Sequence, residues 1–123
     1  MPLLKLQVSE NIEEEKKKII LSCLSRIVSD SLGKPEKYVM IIIEQSSFLM
    51  AGNEGPAAFA DVRSIGSINI RTTSDLAQKL CRYLDELLGI PSDRVYINFT
   101  DVTAENWGCD GQTFSQILTP SRS

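Results

Sequence analysis

Two stretches of this chain carry the same punctuation at a fixed distance. LSRIVSDSLGKPEKYVMIIIEQ begins at Leu24, and LCRYLDELLGIPSDRVYINFTD begins at Leu80, an offset of 56 residues (80 minus 24). Leu24, Arg26, Leu32, Gly33, Pro35 and Val39 match Leu80, Arg82, Leu88, Gly89, Pro91 and Val95, and Asp30 meets Glu86, with no gap. The identities fall where a helix ends and a strand begins. Self-similarity at a fixed period means that one supersecondary unit is used twice. The 123 residues therefore read as a single domain, 1–123, with copies over about 2–60 and 61–114 and a polar tail at 115–123.

Each copy reads strand, helix, strand. In the first, Leu3–Val8 is short and apolar, and Ser9 or Asn11 is the expected helix cap. Ile12, Ile19, Ile20, Cys23, Leu24, Ile27, Val28 and Leu32 then recur at helical spacing. Gly33 suits a left-handed C-terminal cap, Pro35 blocks continuation, and a strand is expected over 38–43. In the second copy, alternation predicts a strand over 67–72 and Thr73 or Ser74 as the cap. Leu76, Leu80, Leu84, Leu87 and Leu88 mark the helix, and a strand over 95–99 closes the unit. Segments 48–50 and 59–62 are weaker strand candidates.

Strand–helix–strand units give parallel pairs with right-handed crossovers. The expected product is an α+β fold, one mixed four-stranded sheet with both helices on one face. Val39-Met40-Ile41-Ile42-Ile43 is apolar without alternation, the pattern of a strand buried on both sides. Two helices cover one side only, so the other side calls for a second copy of the chain.

Composition narrows the chemistry. Net charge is −3, from 13 basic and 16 acidic residues, which argues against nucleic acid as a partner. Glu13-Glu14-Glu15 beside Lys16-Lys17-Lys18 reads as a solvated helix face with i,i+3 and i,i+4 pairing. Histidine is absent, which removes the commonest general base and zinc ligand. Cys23, Cys81 and Cys109 form no CxxC, so neither a metal site nor a redox pair is expected, and the chain reads as reduced and cytoplasmic. No apolar run approaches the ~20 residues of a membrane span, and no secretory signal is expected at the start.

Tyr96 and Asn98 alternate on one strand and so point to the same face. Their repeat mates are Met40 and Ile42, so the polarity belongs to the second copy alone and favours a site over generic core.

With these residues in view, the chain resembles the macrophage migration inhibitory factor family of the tautomerase superfamily. The marks are the Met1-Pro2 start, Gly33-Lys34-Pro35, Ser64-Ile65-Gly66, Arg94-Val95-Tyr96-Ile97-Asn98, and Asn106-x-Gly108 followed by Thr113-Phe114. The resemblance implies a duplicated β-α-β-β fold, a homotrimer, and cofactor-independent keto–enol tautomerisation of phenylpyruvate-like or dopachrome-like acids. It implies that Pro2, freed of Met1, offers its secondary amine as general base, and that Lys34 binds the substrate carboxylate. On the same resemblance, Ile65 would contribute its backbone N–H, and Tyr96 and Asn98 would reach the site of an adjacent subunit. Tyr38 and Phe114 match the family's aromatic pocket.

Two departures stand out. Well-known members carry tryptophan where this chain has Cys109 and an aliphatic residue where it has Trp107, so Trp107 is expected to supply an aromatic wall of altered shape. Ala57-Ala58-Phe59-Ala60 occupies the stretch where some members carry a CxxC, so thiol oxidoreductase activity is not expected. The alternatives are a non-catalytic, cytokine-like protein of the same fold, secreted without a signal peptide and acting on a receptor, and a ferredoxin-like binding module without a pocket between subunits.

Overall fold

The computed structural model describes residues 1–118. Four strands form one sheet in the order β2-β1-β3-β4. They are β1 (Leu3–Val8), β2 (Met40–Gln45), β3 (Ala58–Ser64) and β4 (Val95–Asp101). The helices α1 (Glu14–Leu32) and α2 (Ile70–Leu88) connect β1 to β2 and β3 to β4. β1 runs parallel to β2, β3 runs parallel to β4, and the two halves meet where β1 pairs antiparallel with β3. A short hairpin of β5 (Gly108–Cys109) and β6 (Gln112–Thr113) leads into α3 (Phe114–Leu118). The fold is the expected α+β sheet. The part of the polar tail beyond 118 lies outside the described residues.

The offset of 56 maps 14–32 onto 70–88, the observed span of α2. It also maps 3–8 onto 59–64, inside β3, and this corrects the strand expected over 67–72. That segment is a turn and a helix start. Gly66 and Ser67 have φ of 75° and 64°, and Asn69 caps α2 in a reciprocal capping box with Thr72. Thr72 N donates to Asn69 Oδ1 and Asn69 N donates to Thr72 Oγ1, both at 3.1 Å. Small hydroxyl residues alternating with apolar ones mimic a strand, but here their hydroxyls serve the backbone at a helix end.

The other caps also moved. Neither Ser9 nor Asn11 caps α1, which starts after Glu13 without a side-chain cap. Ser9 Oγ instead accepts the Ala57 N–H at 2.9 Å and ties the start of β3 to the end of β1. Residues 38–39 precede β2 because Pro35 sets up a one-turn 3-10 helix over Glu36–Tyr38, and Ser92–Arg94 repeats it after Pro91. Segment 48–50 forms only an isolated bridge, Met50 to Asn53.

Strand alternation sorts the two faces of the sheet. Leu4, Leu6 and Val8 of β1 and Ala58, Ala60 and Val62 of β3 pack under Ile20, Leu24, Val28, Leu76, Leu80 and Leu84 of the helices. Each such leucine contributes roughly 1.5–3 kcal/mol by leaving water. On the other face, Lys5 pairs with Glu44 at 3.2 Å and Arg63 with Asp61 at 3.3 Å. Both helices lie on one side, so Met40 is left 61% exposed and Tyr96 66% exposed on the two edge strands.

Arg94 fixes the long β2–β3 connection. Its guanidinium donates to the carbonyls of Met50, Asn53, Gly55 and Pro56 at 2.6–3.2 Å. Hydrogen bonds from a charged donor are the stronger kind. Arg94→Ala is expected to cost about 2 kcal/mol in urea unfolding at fixed protein concentration. A loss below about 0.5 kcal/mol would place this residue among ordinary surface positions.

Candidate active site

The sequence-predicted residues fall into three groups. The first gathers at the start of β1. Pro2 is fully buried, and its carbonyl accepts the Met40 N–H at 3.0 Å, which extends the β1–β2 pairing by one residue. Lys34 follows Gly33, the left-handed cap of α1 at φ 64°. Its backbone is held from both sides: Lys34 N donates to Ser29 O at 3.1 Å and Ser29 Oγ donates to Lys34 O at 2.5 Å. The side chain is thereby sent toward the turn after β3. A Cβ placed on Gly66 would lie 3.8 Å from Lys34 Nζ. Lys34 makes no ion pair among the described residues. Its ammonium therefore stands beside the Ile65–Gly66 turn with its charge uncompensated.

The electrostatics at the chain start follow from this placement. Partial burial holds the Met1 amine below its ordinary value of 8.0, at about 6. The Lys34 ammonium acts in the same direction, and Cys109 opposes it. Removing a charged group from water and setting a like charge beside it both favour the neutral amine. Cys109 is exposed and lies within electrostatic reach of the chain start.

The second group is aromatic. Tyr38 and Phe114 meet edge to face, with ring centroids 6.2 Å apart and planes at 86°. Phe114 is buried, and its N–H donates to Trp107 O at 2.8 Å, which ties α3 to the segment before β5. Trp107 lines a cavity of about 380 Å³ with Leu3, Met40, Arg63, Val102 and Asn106. Leu3, Met40 and Arg63 are cross-strand partners, so this cavity opens on the helix-free face beside the start of β1.

The third group stands apart. Tyr96 and Asn98 lie exposed on β4, an edge strand. Their register partners on β3 are Phe59 and Asp61, whereas Leu3 pairs with Arg63 at the other end of that strand. Within one chain they do not join Pro2 and Lys34.

Sequence reasoning missed Asp101. Its Oδ1 accepts the Gly66 N–H at 3.0 Å, and the next residue's N–H, that of Val102, donates to Ser64 O at 2.9 Å. The repeat held a faint signal, since the mate of Asp101 at the offset of 56 is the neutral Gln45. Among the described residues no cluster of Cys, Asp or Glu could hold a metal ion, and no helix is long and apolar enough to cross a membrane.

The family described as macrophage migration inhibitory factor matches residues 1–115. A macrophage migration inhibitory factor homolog of Trichuris trichiura is 35% identical over 107 residues, covering 86% of this chain and 90% of that protein. One from Trichinella spiralis is 39% identical over 97 residues, covering 76% and 83%. The crystal structure of the homologue from Prochlorococcus marinus aligns with a TM-score of 0.85 at 35% identity, covering 91% of this chain and 98% of that one. The chain belongs to the macrophage migration inhibitory factor family.

A chain that keeps Met1 should show its amine titrating near 6, and Lys34→Ala should move that value up toward 8.0, read by NMR titration of the labelled amine. The folded chain holds this proton less tightly than the unfolded one. The group's contribution to stability is therefore complete above pH 8 and lost as pH falls through 6. An amine titrating at 8 in both proteins would contradict the described environment.

Proposed function

We propose that the chain, acting as one domain over 1–123, is a cofactor-independent keto–enol tautomerase of aromatic 2-keto acids such as phenylpyruvate. Pro2 serves as general base once Met1 is removed. The observation that carries this reading is the placement of Pro2, a buried residue at the chain start in surroundings that already depress an amine there. With Met1 gone, the Pro2 nitrogen is a secondary amine rather than an amide. A base that is neutral at working pH is what proton abstraction next to a carbonyl requires.

The remaining roles are assigned from the family resemblance, with charge and position in accord. The Lys34 ammonium attracts the substrate carboxylate, and the Ile65 N–H donates to it from the adjoining turn. The Pro2 nitrogen takes a proton from the carbon beside the 2-carbonyl, and the electron pair moves onto the carbonyl oxygen as the enolate forms. Asn98 of the partner subunit donates to that oxygen, and the partner subunit's Tyr96 closes the pocket. The proton then goes to the oxygen, so the enol leaves and the amine is neutral again. Tyr38, Trp107 and Phe114 supply aromatic walls for the substrate ring.

This reading needs a homotrimer. It is supported by the two edge strands, which expose Met40, Ile42 and Tyr96. It is also supported by the separation of Tyr96 and Asn98 from Pro2 within one chain. Light scattering should give about 41 kDa, three times the 13.7 kDa chain. Pro2→Gly, or a chain that keeps Met1, should lose about 10²-fold or more in enol–keto turnover of phenylpyruvate, the scale of a lost general base. Lys34→Ala should chiefly raise KM. Met1-free protein that leaves the substrate at its spontaneous rate would favour the non-catalytic, receptor-directed reading instead.

A further inference from the structure

We propose that Asp101 is the positioning residue that aims the Ile65 N–H at the substrate carboxylate; the inference rests on the tautomerase reading above. β3 and β4 end together, with Ser64 opposite Asp101. Beyond that pair the chain turns through Ile65, Gly66 and Ser67 before Asn69 caps α2. Gly66 and Ser67 are both left-handed, at φ 75° and 64°, and the second of these is not a glycine. A non-glycine residue there costs roughly 1 kcal/mol, so the turn needs something outside itself to hold it.

Two bonds from the end of β4 supply that hold. Val102 N–H donates to Ser64 O at 2.9 Å, and Asp101 Oδ1 accepts the Gly66 N–H at 3.0 Å. A peptide unit is planar and trans, so a carbonyl and the following N–H share a plane and point opposite ways. The Val102 bond therefore fixes the plane that contains the Ile65 N–H and turns that N–H away from β4. The Asp101 bond fixes the next plane, on the other side of Ile65. The consecutive residues Asp101 and Val102 thus clamp the two peptide planes that flank Ile65. Only the Asp101 half of the clamp is a side chain, so that half can be removed without altering the backbone.

The same clamp sets the seat for Lys34, because Gly66 is the residue beside Lys34 Nζ. Asp101 acts as a hydrogen-bond acceptor and makes no ion pair among the described residues. The side-chain amide of Asn can keep the acceptor oxygen and lose the charge. Alanine loses both. The pair of variants separates geometry from charge.

The test uses Met1-free full-length protein and two readouts, phenylpyruvate kinetics and the Kd of phenylacetate followed at the Ile65 amide by NMR. Asp101→Ala is expected to raise KM and the phenylacetate Kd about 10-fold, with kcat within about 2-fold, the scale of one charge-assisted hydrogen bond. Asp101→Asn should stay within about 3-fold of the parent in both. The proposal is overturned by unchanged KM and Kd in Asp101→Ala, or by Asp101→Asn as impaired as Asp101→Ala. Should Asp101→Ala unfold, the Asn variant and the Ile65 amide shift still decide. Failure of the tautomerase reading looks different: the parent then turns over nothing and is indifferent to Pro2→Gly. The phenylacetate arm still tests the clamp in that case, and a parent chain that binds no phenylacetate at Ile65 also overturns it.

Discussion

The antiparallel pairing of β1 with β3 is the interaction on which the rest depends. It joins the two halves of a duplicated chain, and it makes the first strand an interior strand of the sheet. Chain ends usually fray, because little holds their first residues. Here β1 is hydrogen-bonded on both edges, and Leu4, Leu6 and Val8 lie wholly under the helices. Pro2 is therefore anchored by a strand that cannot leave without opening the core. A proline has no N–H to give to the pairing. At this position it loses nothing, because the bond made there uses its carbonyl and the N–H of Met40.

Burial and charge then act on the same few atoms. The end of α1 carries Lys34 to the end of β3, and the turn after β3 passes beside the ammonium. An amine at the chain start meets both a shortage of water and a like charge, and each favours its neutral form. The cation that depresses the amine is also suited to hold a carboxylate. In the proposed mechanism a single lysine serves both binding and the neutrality of the base. Its repeat mate is Ile90, which is fully buried in the core. The duplicated scaffold needs no lysine at this place, so the charge belongs to the site and not to the fold.

Much of the fold was legible because the repeat left marks at helix ends. Gly33 and Gly89 both adopt the left-handed cap, and Pro35 and Pro91 both precede a 3-10 turn. The strand expected over 67–72 failed because alternating Ser, Ile, Asn and Thr satisfy a strand pattern and a capping box equally well. The offset of 56 already favoured 59–64, and long-range pairing with β1 settled the matter over local pattern. Lys34 and Pro2 were readable from motif, yet their proximity comes from tertiary packing alone. Asp101 escaped notice because a single carboxylate at a strand end, opposite a neutral repeat mate, is only a faint signal. Its meaning appears only when the turn after β3 folds back against the end of β4. Tyr96 and Asn98 were readable as polar residues on one face, and the chain by itself keeps them away from Pro2.

On the proposed mechanism, an amine at the chain start, held neutral by burial and by Lys34, does the chemistry. The pH dependence of kcat/KM reports the essential base of the free enzyme. For Met1-free protein the account predicts an acid limb with its midpoint well below the ordinary α-amino range of about 7.7–8.0. It also predicts that Lys34→Met moves that limb upward. A limb that stays in place when Lys34 is replaced, or a profile with no acid limb in this range, would contradict it.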